Sequence, residues 1–422
     1  MKQTIHLFFV WGLIALLLGG CWDRKELNEL GIAIGIGIDM EGDQYQVTAQ
    51  VVIPSAVASK SSPSAGSPVV TYEATAPTIQ EAIQKMTATS PRSIYLSHIR
   101  MLILGEEYAR KGIADAIEAM MREPFTRSDF YIAIAKNNKA STMLKIPTPL
   151  EKLPANKLFA SLDTLTKTWA PANKVTMDQL LSNLVNPDIQ STLPALEAVG
   201  DIESSNEKGM DATKSISPGT ILRFSGIGVF KKDRLLGWIN DQDSKGFSYI
   251  RDKVESTTGH TDCQGGGNIA LLTLSSDTQK KVIIRDGEPV ISISVTNDST
   301  VREVNCKHMK LSSMADIKEI EAASNEKIVE IMKHSVETVR HEFKSDIFGF
   351  GQLIHQSKPE LWKKLKEEKE NPFMDLQIEY KAKTTVKKIG SLFESFLLEY
   401  KAKTTVKKIG SLFESFQKEM KE

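Results

Sequence analysis

The sequence predicts an α+β protein of two or three domains, its mixed sheets carrying packed helices. Three observations carry that reading. Period-two apolar strands and amphipathic helices alternate along the first half. A charged, Ser-rich break without apolar periodicity spans Asp201 to Ser217. Beyond it come further strand patterns and one long helix. At 422 residues the chain is too long for a single core. Its 41% apolar and 25% charged composition excludes global disorder. Fifty-three basic residues balance fifty-three acidic ones, which lacks the basic excess of a nucleic-acid binder. Three cysteines exclude a disulfide-dense scaffold.

The chain opens with Lys2 and an apolar stretch from Ile5 to Leu18, interrupted only by His6. That stretch is shorter than the roughly 20 residues a membrane-spanning helix needs. It ends in Leu18-Gly19-Gly20-Cys21, small residues before a cleavage point with a cysteine directly after them. Residues 1–20 therefore read as a lipoprotein signal peptide, and Cys21 as the lipidated first residue of the exported chain. An ordinary signal peptide with a chance cysteine does not explain the order of those four residues. A buried helix does not accommodate Asp23, Arg24 and Lys25, which follow at once. Each buried methylene contributes about 0.8 kcal/mol, so two or three acyl chains of the palmitate class hold a protein firmly to a membrane.

Residues 21–200 read as an N-terminal α+β domain. Arg24 to Leu30 is a short polar helical turn, and Gly31 to Ile38 alternates small and branched residues as a strand with four isoleucines on one face. Its glycines lack the G-x-G-x-x-G order of a phosphate loop. Glu41-Gly42-Asp43-Gln44 turns into a second strand, Tyr45 to Ile53. Pro54 to Pro68 reads as an exposed loop and Val69 to Ala74 as a strand. Thr78 and Glu81 form a capping pattern for a helix with Ile79, Ala82, Ile83 and Met86 on one face. A long strand over Ile94 to Leu104, a helix marked by Ile113, Ile117 and Met120, and a strand from Tyr131 to Ala135 follow. From Ala140 to about Val199 the pattern is helical, with breaks at Pro147, Pro149, Pro154 and Pro171.

Residues 201–217 read as a linker, and 218–396 as a C-terminal region of two α+β subdomains. The first covers roughly 218–260 with part of the strands that follow, and the second holds the remainder, including a helix over 315–343. A new sheet is expected to start at Thr220, with a hairpin from Phe224 to Phe230 and Leu235 to Ile239 around Lys231-Lys232-Asp233-Arg234. Asp243 to Val254 reads as a short helix, and Ile269 to Leu274, Lys280 to Arg285 and Val290 to Val295 as strands. The long helix carries an apolar stripe of Ile317, Ile320, Ile328, Ile331, Val336, Val339 and Phe343.

Candidate chemistry is sparse. No H-E-x-x-H, G-x-S-x-G or P-loop pattern occurs. The S-x-x-K pairs Ser205/Lys208 and Ser324/Lys327 lack the companion motifs of acylating serine enzymes. His334 and His341 share a helix face without a third ligand and read as solvated residues, while Asp241 and Asp243 suit capping or a turn. His260-x-x-Cys263 with Cys306-x-His308 has donors that suit zinc, but the one-residue gap departs from structural-zinc spacing. A Cys263–Cys306 disulfide, permitted by export, and two unpaired thiols are the other readings, and metal stands last of the three. No catalytic constellation and no cofactor motif is visible.

Several segments together resemble the C subunit of the spore nutrient germinant receptors, the Ger(x)C lipoprotein family. They are Cys21-Trp22-Asp23-Arg24-Lys25-Glu26-Leu27-Asn28-Glu29-Leu30-Gly31, then Gly226 to Gly237, then Asp346-Ile347-Phe348-Gly349-Phe350-Gly351 and Pro359-Glu360-Leu361-Trp362. They stand in family order and span most of the chain up to about residue 396. As residues they read as architecture: Trp22 and Leu27 seat the anchor segment, Gly226, Gly228 and Gly237 permit tight hairpin packing, and Gly349 lets the backbone turn between Phe348 and Phe350. The resemblance implies an α+β fold in three domains, the second and third both beyond Ser217, and a non-enzymatic, lipid-anchored subunit on the extracytoplasmic face of the inner spore membrane. It implies two integral-membrane partners, an A-type and a permease-like B-type subunit, and a role in nutrient-triggered germination. It leaves open whether this subunit touches the nutrient. A lipid-anchored cell-wall enzyme and a solute-binding lipoprotein are the alternatives. The first lacks a recognisable nucleophile, metal or acid pair, and the second lacks two lobes of repeated βα units.

Glu379 to Phe396 recurs letter for letter as Glu399 to Phe416, with a period of twenty residues. Solenoid repeats diverge and need about three copies to bury a core, so an identical pair points to a recent duplication of coding DNA or an error in the sequence. The first copy matches the closing strand of the family, with Leu376, Ile378, Tyr380 and Ala382 alternating, and 397–422 is a duplicated tail.

Overall fold

The structure is a computed structural model that describes residues 29–58, 67–124, 126–204, 211, 216–263, 265–307, 309, 311 and 313–388. The signal peptide, Cys21, Trp22, Leu27 and the duplicated tail lie outside the described residues, as do Ser205, Lys208 and His308. The fold is α+β, with two mixed sheets and helices packed on them.

The first sheet begins with β1 (Leu30–Glu41), β2 (Gln44–Val52) and β3 (Val69–Ala76), antiparallel neighbours joined by a turn at Gly42 and by the segment that starts as α1 (Pro54–Ala58). Thr78 caps α2 (Ile79–Lys85) by accepting from the Glu81 N–H at 3.1 Å. The strands β4 (Ser93–Tyr95) and β5 (Met101–Gly105) both run parallel to β1. After α3 (Glu106–Lys111) and α4 (Ala114–Arg122), β6 (Tyr131–Ala135) adds alongside β5. Three helices follow, α5 (Ala140–Lys145), α6 (Pro154–Thr168) and α7 (Met177–Val185), and then β7 (Thr192–Gly200) pairs with β6. The sheet ends with the hairpin β8 (Thr220–Lys231) and β9 (Arg234–Ile239), giving the order β3-β2-β1-β5-β6-β7-β8-β9 with β4 also on β1. Helices cover both faces: α2, α4 and α7 contribute to one core, α5 and α6 to the other.

The second sheet has the order β10-β11-β12-β13. After α8 (Asp241–Ile250) come β10 (Thr257–Asp262), β11 (Asn268–Arg285) and β12 (Glu288–Val304), all antiparallel. The helix α9 (Met314–Thr338) continues into a wider π turn, Val339–Phe343, and is followed by α10 (Phe350–Ser357) and α11 (Pro359–Glu368). Finally β13 (Gln377–Lys388) adds parallel to β12. Ile328, Met332 and Val336 of α9 share a core with Ile291, Ile293 and Val295 of β12. That core also takes in Ile227, Val229 and Ile239, so the end of the first sheet and the second sheet are continuous in packing.

Five expectations change. The four isoleucines of β1 do not share a face, because a bulge between Ala33 and Gly35 leaves Ile34 in one core and Ile36 and Ile38 in the other. The long strand over Ile94 to Leu104 is two short ones, with buried Leu96 and Ile99 in the turn between them. Thr192 to Gly200 is a strand, not helix. Its Pro194 sits at a register irregularity, where the missing N–H is tolerated. The sheet expected to start at Thr220 is the first sheet continuing: Gly200 lies opposite Thr220 and β8 pairs along β7. The charged 201–217 stretch thus connects two adjacent antiparallel strands. Gly200 is required there, since at φ 121° an added Cβ would fall 1.9 Å from the Gly219 carbonyl oxygen. Lastly, Ile269 to Leu274 and Lys280 to Arg285 belong to one strand, β11, which carries an irregularity between Thr273 and Ser275.

Candidate functional site

The residues of the Asp346–Gly351 and Pro359–Trp362 segments gather at one place, where they meet the loop between α7 and β7. The Asp346 carboxylate is buried and accepts three backbone N–H groups, from Phe348 at 3.0 Å, Gly349 at 2.9 Å and Gly351 at 2.7 Å. That folds the six residues into a tight turn and explains why Gly349 adopts φ 77°. Phe348 and Phe350 stack with ring centroids 5.4 Å apart, against Phe247 and Phe373. The Arg251 guanidinium donates to the Phe348 carbonyl at 3.2 Å. Burial pushes the Asp346 carboxyl up to about 6, against the three N–H donors and the Arg251 charge, which act to lower it. Burial, and then the Arg251 charge, pull the neighbouring Lys280 amine down to about 8.

The α7–β7 loop is fastened to this turn by two backbone bonds. The Gln190 N–H donates to the Asp346 carbonyl at 2.8 Å, and the Gln352 N–H to the Asp188 carbonyl at 3.1 Å. The Asp188 side chain is 3% exposed and accepts from the Trp362 indole N–H at 2.9 Å and the Lys366 ammonium at 3.3 Å, with His355 Nδ1 as a third partner. Burial acts to raise the Asp188 carboxyl, but Trp362, His355 and Lys366 outweigh it and hold the group below the ordinary carboxylate range. Gly351 is part of the fit: a Cβ there would lie 2.8 Å from the Trp362 ring. The Asp346 and Asp188 carboxylates are both spent on fixing backbone and side chains. The arrangement is a clamp between the two halves of the chain, and Asp188 is the residue in it that sequence reasoning missed.

The structure brings Cys263 and Cys306 together as a disulfide with Cα atoms 5.7 Å apart, linking the β10–β11 turn to the end of β12. Both are half-buried beside a small core of Ile269, Leu271, Val301 and Ile320. His260 stands on β10 among the residues lining a cleft of about 290 Å³ with Trp169, Lys245, Tyr249, Lys327 and Ile328. Among the described residues no group of three or more His, Cys, Asp or Glu side chains could hold a metal. His334 is not a merely solvated residue: its Nδ1 meets the buried Asp243 carboxylate at 2.5 Å, and that bond raises its pKa above the ordinary value. His341 is exposed in the π turn. Asp241 accepts from the Ser225 hydroxyl at 3.1 Å, while Asn240 caps α8. Ser324 meets Thr384 and Lys327 pairs with Glu330, so neither is poised on the other.

Two family models match the chain in order: one described as the spore germination protein N-terminal domain over residues 23–198, and one as spore germination B3/GerAC like, C-terminal, over residues 225–390. Spore germination protein KC of Bacillus subtilis is 28% identical over 388 residues, 90% of this chain and 94% of that protein. Spore germination protein B3 of the same organism is 24% identical over 92% of this chain and 99% of its own. Spore germination protein A3 is 22% identical over 93% and 99%. A solved structure titled as the crystal structure of the GerBC protein aligns with a TM-score of 0.49 at 18% identity, over 86% of this chain and all of that one.

Proposed function

The chain belongs to the spore germination B3/GerAC-like family, and with a role in spore germination as the premise we propose that it is the lipid-anchored C subunit of a nutrient germinant receptor complex. One observation carries the anchor: Leu18-Gly19-Gly20-Cys21 ends two residues ahead of residue 23, where the family match begins. Diacylglycerylation of the Cys21 thiol and cleavage before it place the folded part on the extracytoplasmic side of the inner spore membrane. There it works beside two integral-membrane subunits, one A-type and one permease-like B-type. Among the described residues no helix is long and apolar enough to cross a membrane.

The role is binding and signal transmission rather than catalysis. In support, the carboxylates of the clamp, Asp188 and Asp346, are engaged in holding the two halves together. The test is Cys21→Ala in a sporulating host. Loss of lipid labelling, release from the membrane fraction and loss of nutrient-triggered germination are expected. A C21A protein that stays membrane-bound and supports normal germination overturns the reading.

A further inference from the structure

The strand β10 is an edge of the second sheet, and its Thr257, Gly259 and Thr261 stand opposite Thr273, Leu271 and Ile269 of β11. With a period of two, these residues share one face of the sheet. Ile269 and Leu271 pack with Ile320 of α9, so that face looks toward the helix. At Gly259 the face carries no side chain, and a Cβ built there would have nothing within 4 Å. This gap opens into the cleft of about 290 Å³, whose walls are α8, α9 and Trp169. Such a space holds roughly ten waters, or a molecule of about as many non-hydrogen atoms.

The Lys245 ammonium lines the cleft. It donates to the Thr258 carbonyl at 3.0 Å and lies 5.1 Å from the centre of the Trp169 ring. Both partners are uncharged, and among the described residues no carboxylate pairs with Lys245. Burial pulls its amine below the ordinary value, against the charge of Asp241 one helical turn away. The second ammonium of the cleft, Lys327, is already paired with Glu330 at 2.9 Å. Apolar surface comes from Leu271, Ile328 and Ile331, with the Trp169 ring 42% exposed beside them. A half-buried cation without a counter-charge, set beside an apolar wall, is the chemistry that recognises an amphipathic anion. Asp241, on the same wall as Lys245, opposes a second negative charge.

We propose that this cleft binds a small organic monocarboxylate with an apolar body. The Lys245 ammonium donates to the carboxylate, the apolar part covers Leu271, Ile328 and Ile331, and the Trp169 ring flanks it. The site requires neither the lipid anchor nor the membrane subunits proposed above.

The experiment is isothermal titration calorimetry on the full chain, with phenylacetate, its neutral amide phenylacetamide and the dianion phenylmalonate as probes. Phenylacetate is expected to bind, and phenylacetamide about ten- to a hundredfold more weakly, the worth of a hydrogen bond to a charged group. Phenylmalonate is expected to bind more weakly than phenylacetate. Lys245→Met keeps the aliphatic stem and is expected to erase the preference for the anion over the amide. Gly259→Leu puts a side chain into the open space and is expected to melt like the parent while losing all three probes. The three probes on the parent chain test the charge preference without any substitution. The proposal is overturned if phenylacetate gives no saturable heat at millimolar concentration, or if phenylacetamide or phenylmalonate binds as tightly. It is equally overturned if K245M or G259L binds phenylacetate as the parent does.

Discussion

The Asp188 carboxylate accepts the Trp362 indole N–H at 2.9 Å across 174 positions of sequence, both side chains buried. This bond, with those of Lys366 and His355, ties the segment ahead of β7 to the α10–α11 hairpin.

Truncating Asp188→Ala leaves the Trp362 N–H buried without an acceptor and removes the counter-charge of Lys366. A loss of about 2 kcal/mol in unfolding free energy is expected from urea melts. Trp362→Phe keeps most of the packing and loses the donor, so a smaller loss is expected. A D188A protein as stable as the parent would show that the clamp contributes nothing.

The Asp346 carboxyl, pushed up to about 6 by burial, should be visible in the pH dependence of stability. Its folded value lies above the ordinary 3.8, so the folded state binds its proton more tightly than the unfolded chain does. The contribution is fully present below about pH 4 and is lost as pH rises through about 6. Asp188 works in the opposite sense: its contribution is present above pH 3.8 and lost as pH falls through its depressed value. In melting temperatures taken from pH 4 to 7, the difference between parent and Asp346→Asn should therefore change across that window. A constant difference would contradict the assignment.

The Cys263–Cys306 bond closes a loop with a sequence separation of 43 residues. Constraining the unfolded chain over such a length contributes about 4 kcal/mol. Adding reductant, or replacing both cysteines by serine, should lower the melting temperature by a comparable amount in each case. A reductant effect that persists in the double-serine variant would place its origin elsewhere.

How much of this was legible in the sequence depends on how local the cause was. The strand at Tyr131–Ala135 and the helix beginning at Met314 were readable, because apolar periodicity fixes them within a few residues. β7 was misread because Ala195-Leu196-Glu197-Ala198 favours helix, while pairing with β6 and β8 on both sides decides for strand. The Ser-rich stretch after it has the composition of a domain linker, yet composition reports only exposure, and a long hairpin connection is equally exposed. For the clamp, Phe348, Gly349 and Trp362 stood out by motif. Asp188 carried no signal, since its meaning lies in partners more than 160 positions away that no spacing rule reaches. The cysteines fall between these cases: the sequence leaves a disulfide, two unpaired thiols and a metal site open, and the structure brings Cys263 and Cys306 together as a disulfide.

The bridging of both halves by one ladder has a mechanical side. The first described strand, β1, lies inside the sheet with β2 on one flank and β5 on the other. A tug at its N-terminal end is borne as shear by two rows of hydrogen bonds at once and passes strand by strand to β8 and β9, which sit against the second core. Under the anchor proposed above, a displacement applied ahead of Leu30 would reach the second core through paired strands rather than through a single linking segment.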